Sequence, residues 1–315
     1  MQQPRRLVHA LQRNISQVIV GKADAVEMVL IALLCRGHVL IEDVPGVGKT
    51  TLASALARSL DCSFKRIQFT PDVMPSDVTG FTIVNMQTGA MEFKPGAVMS
   101  QIVLADEINR TSPKTQSSLL EVMEETQVTV DGVTYPLPKP FIVLATQNPV
   151  EFVGTYPLPE AQMDRFFIRV AIGYPSIDEE MDILERYTGA SVPLQTLEPV
   201  ATAQDIIDTQ AAVSKIYCAR EVRCYVANIA AATRRHPMLQ LGCSTRGAIA
   251  LVHAAQACAL LAGREYIIPE DVQRMALHVL AHRVSLSSEA RMKGLAAERI
   301  LDQLIATIQV PVRVP

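Results

Sequence analysis

The stretch HVLIEDVPGVGKTTLASALARSL, residues 38–60, joins an apolar run, a glycine-containing turn and a helical pattern in direct succession. It fits the phosphate-loop pattern G-x-x-x-x-G-K-[ST] at Gly48, Lys49 and Thr50, and Gly46 adds a glycine inside the loop. In that pattern backbone N–H groups converge on phosphate oxygens, the lysine reaches the β- and γ-phosphates, and the hydroxyl binds Mg²⁺. An ordinary glycine-rich turn is the alternative, but the strand before the loop and the helix after it favour nucleotide binding.

One position departs from the phosphate-loop pattern. Asp43 stands where the first glycine is usual. Aspartate adopts turn and left-handed backbone conformations more readily than most residues. We therefore predict that Asp43 is a tolerated variant within the turn.

Composition bounds the class of protein. A chain of 315 residues with 49% hydrophobic side chains can form one large or two medium-sized domains. The low aromatic content of 5% and the absence of tryptophan favour helices and α/β layers over an all-β sandwich. A net charge of −3 gives no basic excess of the kind that a nucleic-acid surface shows, so no nucleic-acid partner is expected.

Cysteine usage and hydropathy bear on location. The six cysteines are dispersed and form no Cys-x-x-Cys pair, which predicts reduced thiols. Residues 1–20 lack the continuous apolar core of a signal peptide. The two most apolar stretches, 25–35 and 247–263, are shorter than the ~20 residues that a membrane-spanning helix needs. We expect a cytoplasmic protein without membrane insertion.

Short apolar runs alternate with helical patterns in the first half of the chain. Such runs predict strands covered on both faces of a parallel sheet. They occupy residues 38–43, 64–69, 101–107, 141–148 and 166–172. Residues 80–96 and 127–140 break the alternation, because each alternates polar and apolar positions around a turn signal and predicts an inserted β-hairpin.

A domain boundary is predicted at Pro175. Ser176 and Glu179 form a capping box that opens a helix, and the pattern from there on is helical only. The sequence therefore predicts an α/β nucleotide-binding domain over residues 1–174 and an all-helical domain over residues 175–315.

The apolar run at 101–107 ends in an acidic pair, Asp106 and Glu107. Asp106 suits coordination of Mg²⁺, directly or through water, beside Thr50. Glu107 suits a general base that activates water. A kinase would exclude water, so this pair favours hydrolysis over phosphoryl transfer to a small molecule. A merely solvated acidic pair at a strand end is the alternative.

Three further residues are candidates for phosphate chemistry, each with an ordinary alternative. Asn148 ends an apolar run and could hold the attacking water, or it could belong to an Asn-Pro turn. Arg165 could neutralise charge on a transferring phosphate, or it could pair with Asp164 at the surface. Arg246 could reach the nucleotide from the second domain, or it could be a charge near a helix cap.

Taken together, these motifs closely resemble the MoxR family of AAA+ ATPases. The resemblance rests on DVPGVGKTT (43–51), VLADEINRTSPKTQSSLLEVMEE (103–125) and ATQNPVEFVGTYPLPEAQMDRF (145–166), and continues more weakly through STRGAIAL (244–251) and PEDVQRMALHVLAHRV (269–284). It implies a P-loop fold with a five-stranded parallel sheet and two β-hairpin inserts, followed by a helical lid, with ATP and Mg²⁺ bound between them. In this family Asp43 is an ordinary variant.

The resemblance also implies roles for single residues. Asp106 and Glu107 match the Walker B pair and Asn148 matches sensor 1. Arg165 matches the arginine finger, which acts on ATP held by the adjacent subunit of a ring, and Arg246 matches sensor 2, in cis or in trans. The residues that would bind the nucleotide are Val20 and Gly21, next to Ile19 and near the adenine, and the Walker A residues Val44, Pro45, Gly46, Val47, Gly48, Lys49, Thr50 and Thr51.

The resemblance implies partners as well. Family members form homo-oligomers, expected to be hexameric rings, that remodel or mature a protein client and are commonly paired with a von Willebrand factor A protein. Three alternatives remain open at this point: a metal-chelatase motor subunit, a DNA-remodelling motor, and a nucleotide-binding scaffold without turnover. The mild acidity of the chain argues against the DNA motor.

Overall fold

A computed structural model describes residues 2–148, 154–188 and 192–311 of the chain. Pro149 and the four residues after it, which form part of the third motif above, lie outside that description. The elements of the first half are α1 (Gln2–Ser16), α2 (Ala23–Leu34), β1 (Val39–Glu42), α3 (Lys49–Ser59), β2 (Phe64–Gln68), α4 (Pro75–Thr79), β3 (Gly80–Val84), β4 (Met91–Pro95), β5 (Ile102–Asp106), α5 (Pro113–Glu125), β6 (Gln127–Val130), β7 (Val133–Pro136), β8 (Ile142–Gln147), α6 (Glu160–Met163) and β9 (Ile168–Val170).

The second half is mostly helical. Its elements are α7 (Ile177–Thr188), α8 (Ala203–Val213), α9 (Arg220–Arg235), β10 (Leu239–Leu241), α10 (Thr245–Leu261), α11 (Pro269–Leu280), β11 (Ser285–Leu286), α12 (Ser288–Met292) and α13 (Ala297–Thr307). The capping box forms as predicted, because the Glu179 carboxylate accepts from the N–H of Ser176 and the Ser176 hydroxyl accepts from the N–H of Glu179.

The five predicted strands form one parallel sheet in the order β2-β5-β8-β1-β9. Successive side chains of β1 point to opposite faces: Val39 and Ile41 enter one apolar cluster and Leu40 enters another. Both faces of the central strands are therefore buried, as their apolar composition predicts. The fold class and the five-stranded sheet are confirmed.

Strand β2 is an exception to the predicted double covering. It lies at the edge of the sheet, and only Ile67 of its five residues is buried. An edge strand needs fewer apolar positions, so β2 carries polar side chains such as Arg66 and Gln68 that face the site described below.

Both predicted hairpins are present. Strands β3 and β4 pair antiparallel, and so do β6 and β7. The rings of Phe93 and Tyr135 stack with centroids 4.0 Å apart, which joins one hairpin to the other.

The prediction of helices only after residue 175 is wrong in one detail. Strands β10 and β11 form a short antiparallel pair at the end of α9 and before α12. Runs of two or three residues give no periodicity that sequence patterns could reveal. None of the helices in the described parts of the chain has the length and hydropathy that crossing a bilayer requires.

The larger apolar cluster extends across the predicted domain boundary. It includes side chains of α1 and α2, one face of the sheet, and α9, α10, α11 and α13. The boundary at residue 174 therefore stays a prediction, since this cluster is continuous across it among the residues that the structure describes. The consequence for the site is that the helical part is packed onto the first two helices beside the sheet.

Candidate nucleotide site

The phosphate loop has the backbone that its glycines predict. Gly46 and Gly48 adopt φ values of 87° and 89°, and a Cβ atom would meet nothing within 4 Å at either position. The two glycines are thus required by the left-handed backbone and not by lack of space. Gly48 directly precedes α3, so the N–H groups of the loop and the helix N-terminus face the same region.

The Lys49 ammonium lies over this loop. Its Nζ donates to the carbonyl oxygens of Asp43 at 2.8 Å and Val44 at 3.2 Å. Burial lowers its pKa from the ordinary value, while the carboxylates of Asp43, Asp106 and Glu107 act in the opposite direction. These three acids favour the charged lysine that phosphate binding needs.

A cavity of ≈ 370 Å³ lies at the carboxyl ends of β1, β5 and β8, and we call it the phosphate cavity. Ligand sites of open α/β sheets lie at this edge. Nine of the predicted site residues line it together with two residues of β2. The lining residues are Pro45, Gly46, Gly48, Lys49, Thr50, Thr51, Arg66, Gln68, Asp106, Glu107 and Asn148.

Asp106 is buried at the end of β5 and held by two partners. Its Oδ1 accepts from the Thr146 hydroxyl at 2.7 Å, and its Oδ2 accepts from Arg66 Nη2 at 2.6 Å. Thr50 and Asp106 supply the hydroxyl and carboxylate oxygens that Mg²⁺ prefers. Within the described ranges no cluster of three His, Cys, Asp or Glu side chains could hold a metal alone. The donor set therefore fits a Mg²⁺ ion that phosphate oxygens help to bind.

Glu107 has a strained backbone and a fixed side chain. Its φ of 58° lies in the left-handed region, which costs a non-glycine residue about 1–3 kcal/mol. Its N–H donates to the Thr146 hydroxyl at 2.9 Å, and its carboxylate accepts from Gln68 Nε2 at 2.7 Å and lies 3.3 Å from Arg110 Nε. The bond to Thr146 fixes the backbone of Glu107 at the end of β5, and its side chain lines the phosphate cavity. Asn148 is buried and lines the same cavity.

Asp43 does not have the conformation that we predicted. It is absent from the residues with positive φ, so left-handed tolerance is not why an aspartate stands there. It is buried, and its carboxylate accepts from the N–H groups of Val44 at 2.9 Å and of Ile172 and Gly173 at 2.6 Å each. The residue therefore bonds the phosphate loop to the segment that follows β9.

Arg165 and Arg246 line a different cavity, of ≈ 260 Å³, which we call the arginine cavity. Both side chains bind the carboxylate of Glu124 at the end of α5, Arg165 Nε at 3.3 Å from Oε2 and Arg246 Nη2 through Oε1. Asp164 instead binds Arg283 and the Ser244 hydroxyl. The alternative in which Arg165 pairs with Asp164 at the surface is therefore wrong. Arg246 does not cap its helix, because Ser244 is the N-cap residue and the Arg246 side chain extends to Glu124.

Val20 and Gly21 do not line the phosphate cavity either. Gly21 lies beside the start of α7, where an added Cβ atom would fall 1.8 Å from Glu179 Oε1. Their neighbour Lys22 donates to the Tyr174 carbonyl at 2.9 Å and to Glu179 at 3.3 Å. The contact of Val20 and Gly21 with adenine stays a prediction, and so does contact of Val44 and Val47 with the phosphates.

Sequence reasoning missed Arg66, Gln68, Thr146 and Glu124. Arg66 and Gln68 share one side of β2, and Gln68 pairs with Asp106 in register, which only the strand order reveals. Thr146 is one polar residue in an apolar run. Glu124 lies within the recognised motif at 103–125, but its partners are distant in sequence.

Comparisons with known proteins agree with this architecture. A model of the ATPase family associated with various cellular activities (AAA) matches residues 38–168, and an AAA lid domain model matches residues 231–304. The uncharacterized protein YeaC of Bacillus subtilis is 54% identical over 95% of this chain and 93% of its own length. Chaperone MoxR1 of Mycobacterium tuberculosis is 39% identical over 96% of this chain and 83% of its own length. A crystal structure of a candidate ATPase from Cytophaga hutchinsonii has a TM-score of 0.92 and 36% identity, covering 98% of this chain and 96% of the other.

Proposed function

The chain belongs to the MoxR family of AAA+ ATPases, and we propose that it hydrolyses ATP in the phosphate cavity and, as a ring of identical subunits, remodels a partner protein. The observation that carries the hydrolytic activity is the arrangement of Glu107 beside Lys49 and Asp106 in one cavity. A carboxylate that can accept a proton from water is what distinguishes hydrolysis from mere binding.

Each group of the cavity has a separate task. The N–H groups of the loop and Lys49 would bind the phosphates. Thr50 and Asp106 would hold Mg²⁺, which would supply positive charge against the phosphate oxygens. Gln68 and Thr146 orient Glu107, which accepts the proton of the attacking water. Asn148 orients that water from the end of β8 or contacts the γ-phosphate.

The test of the function is phosphate release from ATP by the purified chain, with and without chelation of Mg²⁺. We expect turnover with Mg²⁺ and its loss on chelation, because Thr50 and Asp106 then have no cation to hold. ATP binding without release of phosphate would instead make the chain a nucleotide-binding scaffold.

We further propose that Arg165 and Arg246 act on ATP bound by the neighbouring subunit. Both lie outside the phosphate cavity of their own chain, and their side chains remain 31% and 48% exposed. Identical subunits joined head to tail bring one face of each chain against a different face of the next. A hexamer is the expected ring, and either arginine can then neutralise charge on the transferring phosphate.

A protein client is supported by the β3–β4 hairpin. It exposes Val84, Met86 and Met91, and Met86 is 94% exposed. Methionine side chains adapt to varied apolar surfaces, which suits contact with a partner protein. A protein with a von Willebrand factor A domain is the partner we propose to test first. The net charge of −3 gives no support to a nucleic-acid client.

Glu124 is expected to position both arginines. Glu124→Gln keeps the shape of the side chain but removes the charge that holds them, so we expect turnover to fall about tenfold with ATP affinity unchanged. ATP turnover and the dissociation constant for a fluorescent ATP analogue measure the two effects. Glu125→Gln, at the next and exposed position, is the matched control. Equal turnover in the two variants would contradict the role of Glu124.

A further inference from the structure

The buried carboxylate of Asp43 accepts hydrogen bonds from backbone N–H groups. Its oxygens accept from the N–H groups of Val44, Ile172 and Gly173 at 2.9, 2.6 and 2.6 Å. Charge-assisted bonds of this kind are stronger than bonds between neutral groups, and a buried carboxylate without donors is strongly disfavoured. The Asp43 carboxylate therefore fixes where the chain runs after β9.

The segment that Asp43 holds, residues 171–176, is the connector between β9 and α7. Gly173 has a φ of 70°, which turns the chain there. Beyond it, the Tyr174 carbonyl and the Glu179 carboxylate accept from Lys22 in the loop before α2. The connector is thus bonded to the phosphate loop on one side and to the loop before α2 on the other, and it leads directly into the helical part.

Asp43 is also bonded to the lysine of the phosphate loop. Lys49 Nζ donates to the Asp43 carbonyl at 2.8 Å, while the carboxylate of the same residue holds the connector. One residue therefore joins the ammonium that binds phosphate to the segment that carries α7. A glycine, which is the usual residue of the pattern, would keep the carbonyl but would lose the bonds to Ile172 and Gly173.

We propose that Asp43 is a positioning residue that couples the phosphate loop to the connector, so that nucleotide binding orders residues 171–180. The proposal rests on nucleotide binding as proposed above and adds a route from the loop to the helical part. Its unusual consequence is that restoring the glycine of the common pattern damages the protein.

The test compares the intact protein with Asp43→Gly. We expect Asp43→Gly to bind ATPγS within about threefold of wild type, because Lys49 and the loop glycines remain, and kcat to fall about tenfold or more with little change in KM. Hydrogen exchange of residues 171–180 should slow on ATPγS binding in wild type and should not respond in the variant. Asp61→Gly, at an exposed position of positive φ, is the matched control and should behave as wild type.

The outcomes separate the coupling from the proposed function. A wild-type protein that binds no ATPγS overturns both. A wild-type protein that binds ATPγS without slower hydrogen exchange in residues 171–180 overturns the coupling alone. The coupling is also overturned if Asp43→Gly has the wild-type kcat and shows the wild-type slowing of exchange on ATPγS binding. If Asp43→Gly does not fold, Asp43→Asn is the variant to measure. Its amide keeps one acceptor oxygen, so we expect kcat and the slowing of hydrogen exchange to lie between those of wild type and no coupling. Wild-type values of both quantities would overturn the coupling.

Discussion

Glu107→Gln is expected to abolish ATP hydrolysis while ATP binding remains. The substitution keeps the hydrogen-bonding shape of the side chain but removes its ability to accept a proton at neutral pH. A general base contributes about 10²–10⁴ to the rate, so turnover should fall by at least about 100-fold. Lys49, Thr50 and Asp106 are unchanged, and the dissociation constant for ATP should stay within a few fold. Phosphate release and binding of a fluorescent ATP analogue measure the two quantities.

The backbone at Glu107 is a reason to choose a glutamine rather than an alanine. The residue has a φ of 58°, and its carboxylate is held by Gln68 and Arg110. Glutamine can still bond to Gln68, so a loss of turnover would report on the base and not on a collapsed strand end. Glu121→Gln, at an exposed position of α5, is the control. Persistent turnover in Glu107→Gln would mean that another group activates the water.

The fold was predictable because its strands are strongly apolar and its turns are chemically marked. The runs at 101–107 and 141–148 form strands, as their short and almost entirely apolar composition predicts. The phosphate loop forms because Gly46 and Gly48 can adopt the left-handed backbone that it needs. The pairing of β10 with β11 was not predictable, since it is set by packing between helices and not by a local pattern.

Within the site, local chemistry was predictable and long-range partners were not. The phosphate loop, Asp106 and Glu107 could be identified because each follows an apolar run. The bonds of Asp43 to Ile172 and Gly173 join positions 129 and 130 residues apart, and no pattern in one sequence indicates them. The same holds for Glu124 with Arg165 and Arg246, whose contact depends on how the helical part packs against α5.

Arg165→Ala is expected to reduce turnover about 10³-fold, the contribution that an arginine makes to phosphoryl transfer. The loss should be reversible by a second defective subunit. In an equal mixture with Lys49→Ala, a site works when an Arg165→Ala subunit with intact Lys49 adjoins a Lys49→Ala subunit with intact Arg165. Random mixing in a ring makes that arrangement at about one quarter of sites. Turnover of the mixture should therefore reach about a quarter of wild type, against almost none for either variant alone.

A mixture of Lys49→Ala with Glu107→Gln decides whether such recovery reports on shared sites. Lys49 and Glu107 line the same phosphate cavity, so every site in that mixture lacks one of them and no recovery is expected. Arg246→Ala mixed with Lys49→Ala separates the two roles of Arg246: recovery indicates action on the neighbour, and none indicates action on its own chain. If native mass spectrometry shows mixed assemblies and Arg165→Ala is still not restored, Arg165 does not act across subunits. Its bond to Glu124 would then be structural only, and the Glu124→Gln variant should lose stability rather than turnover.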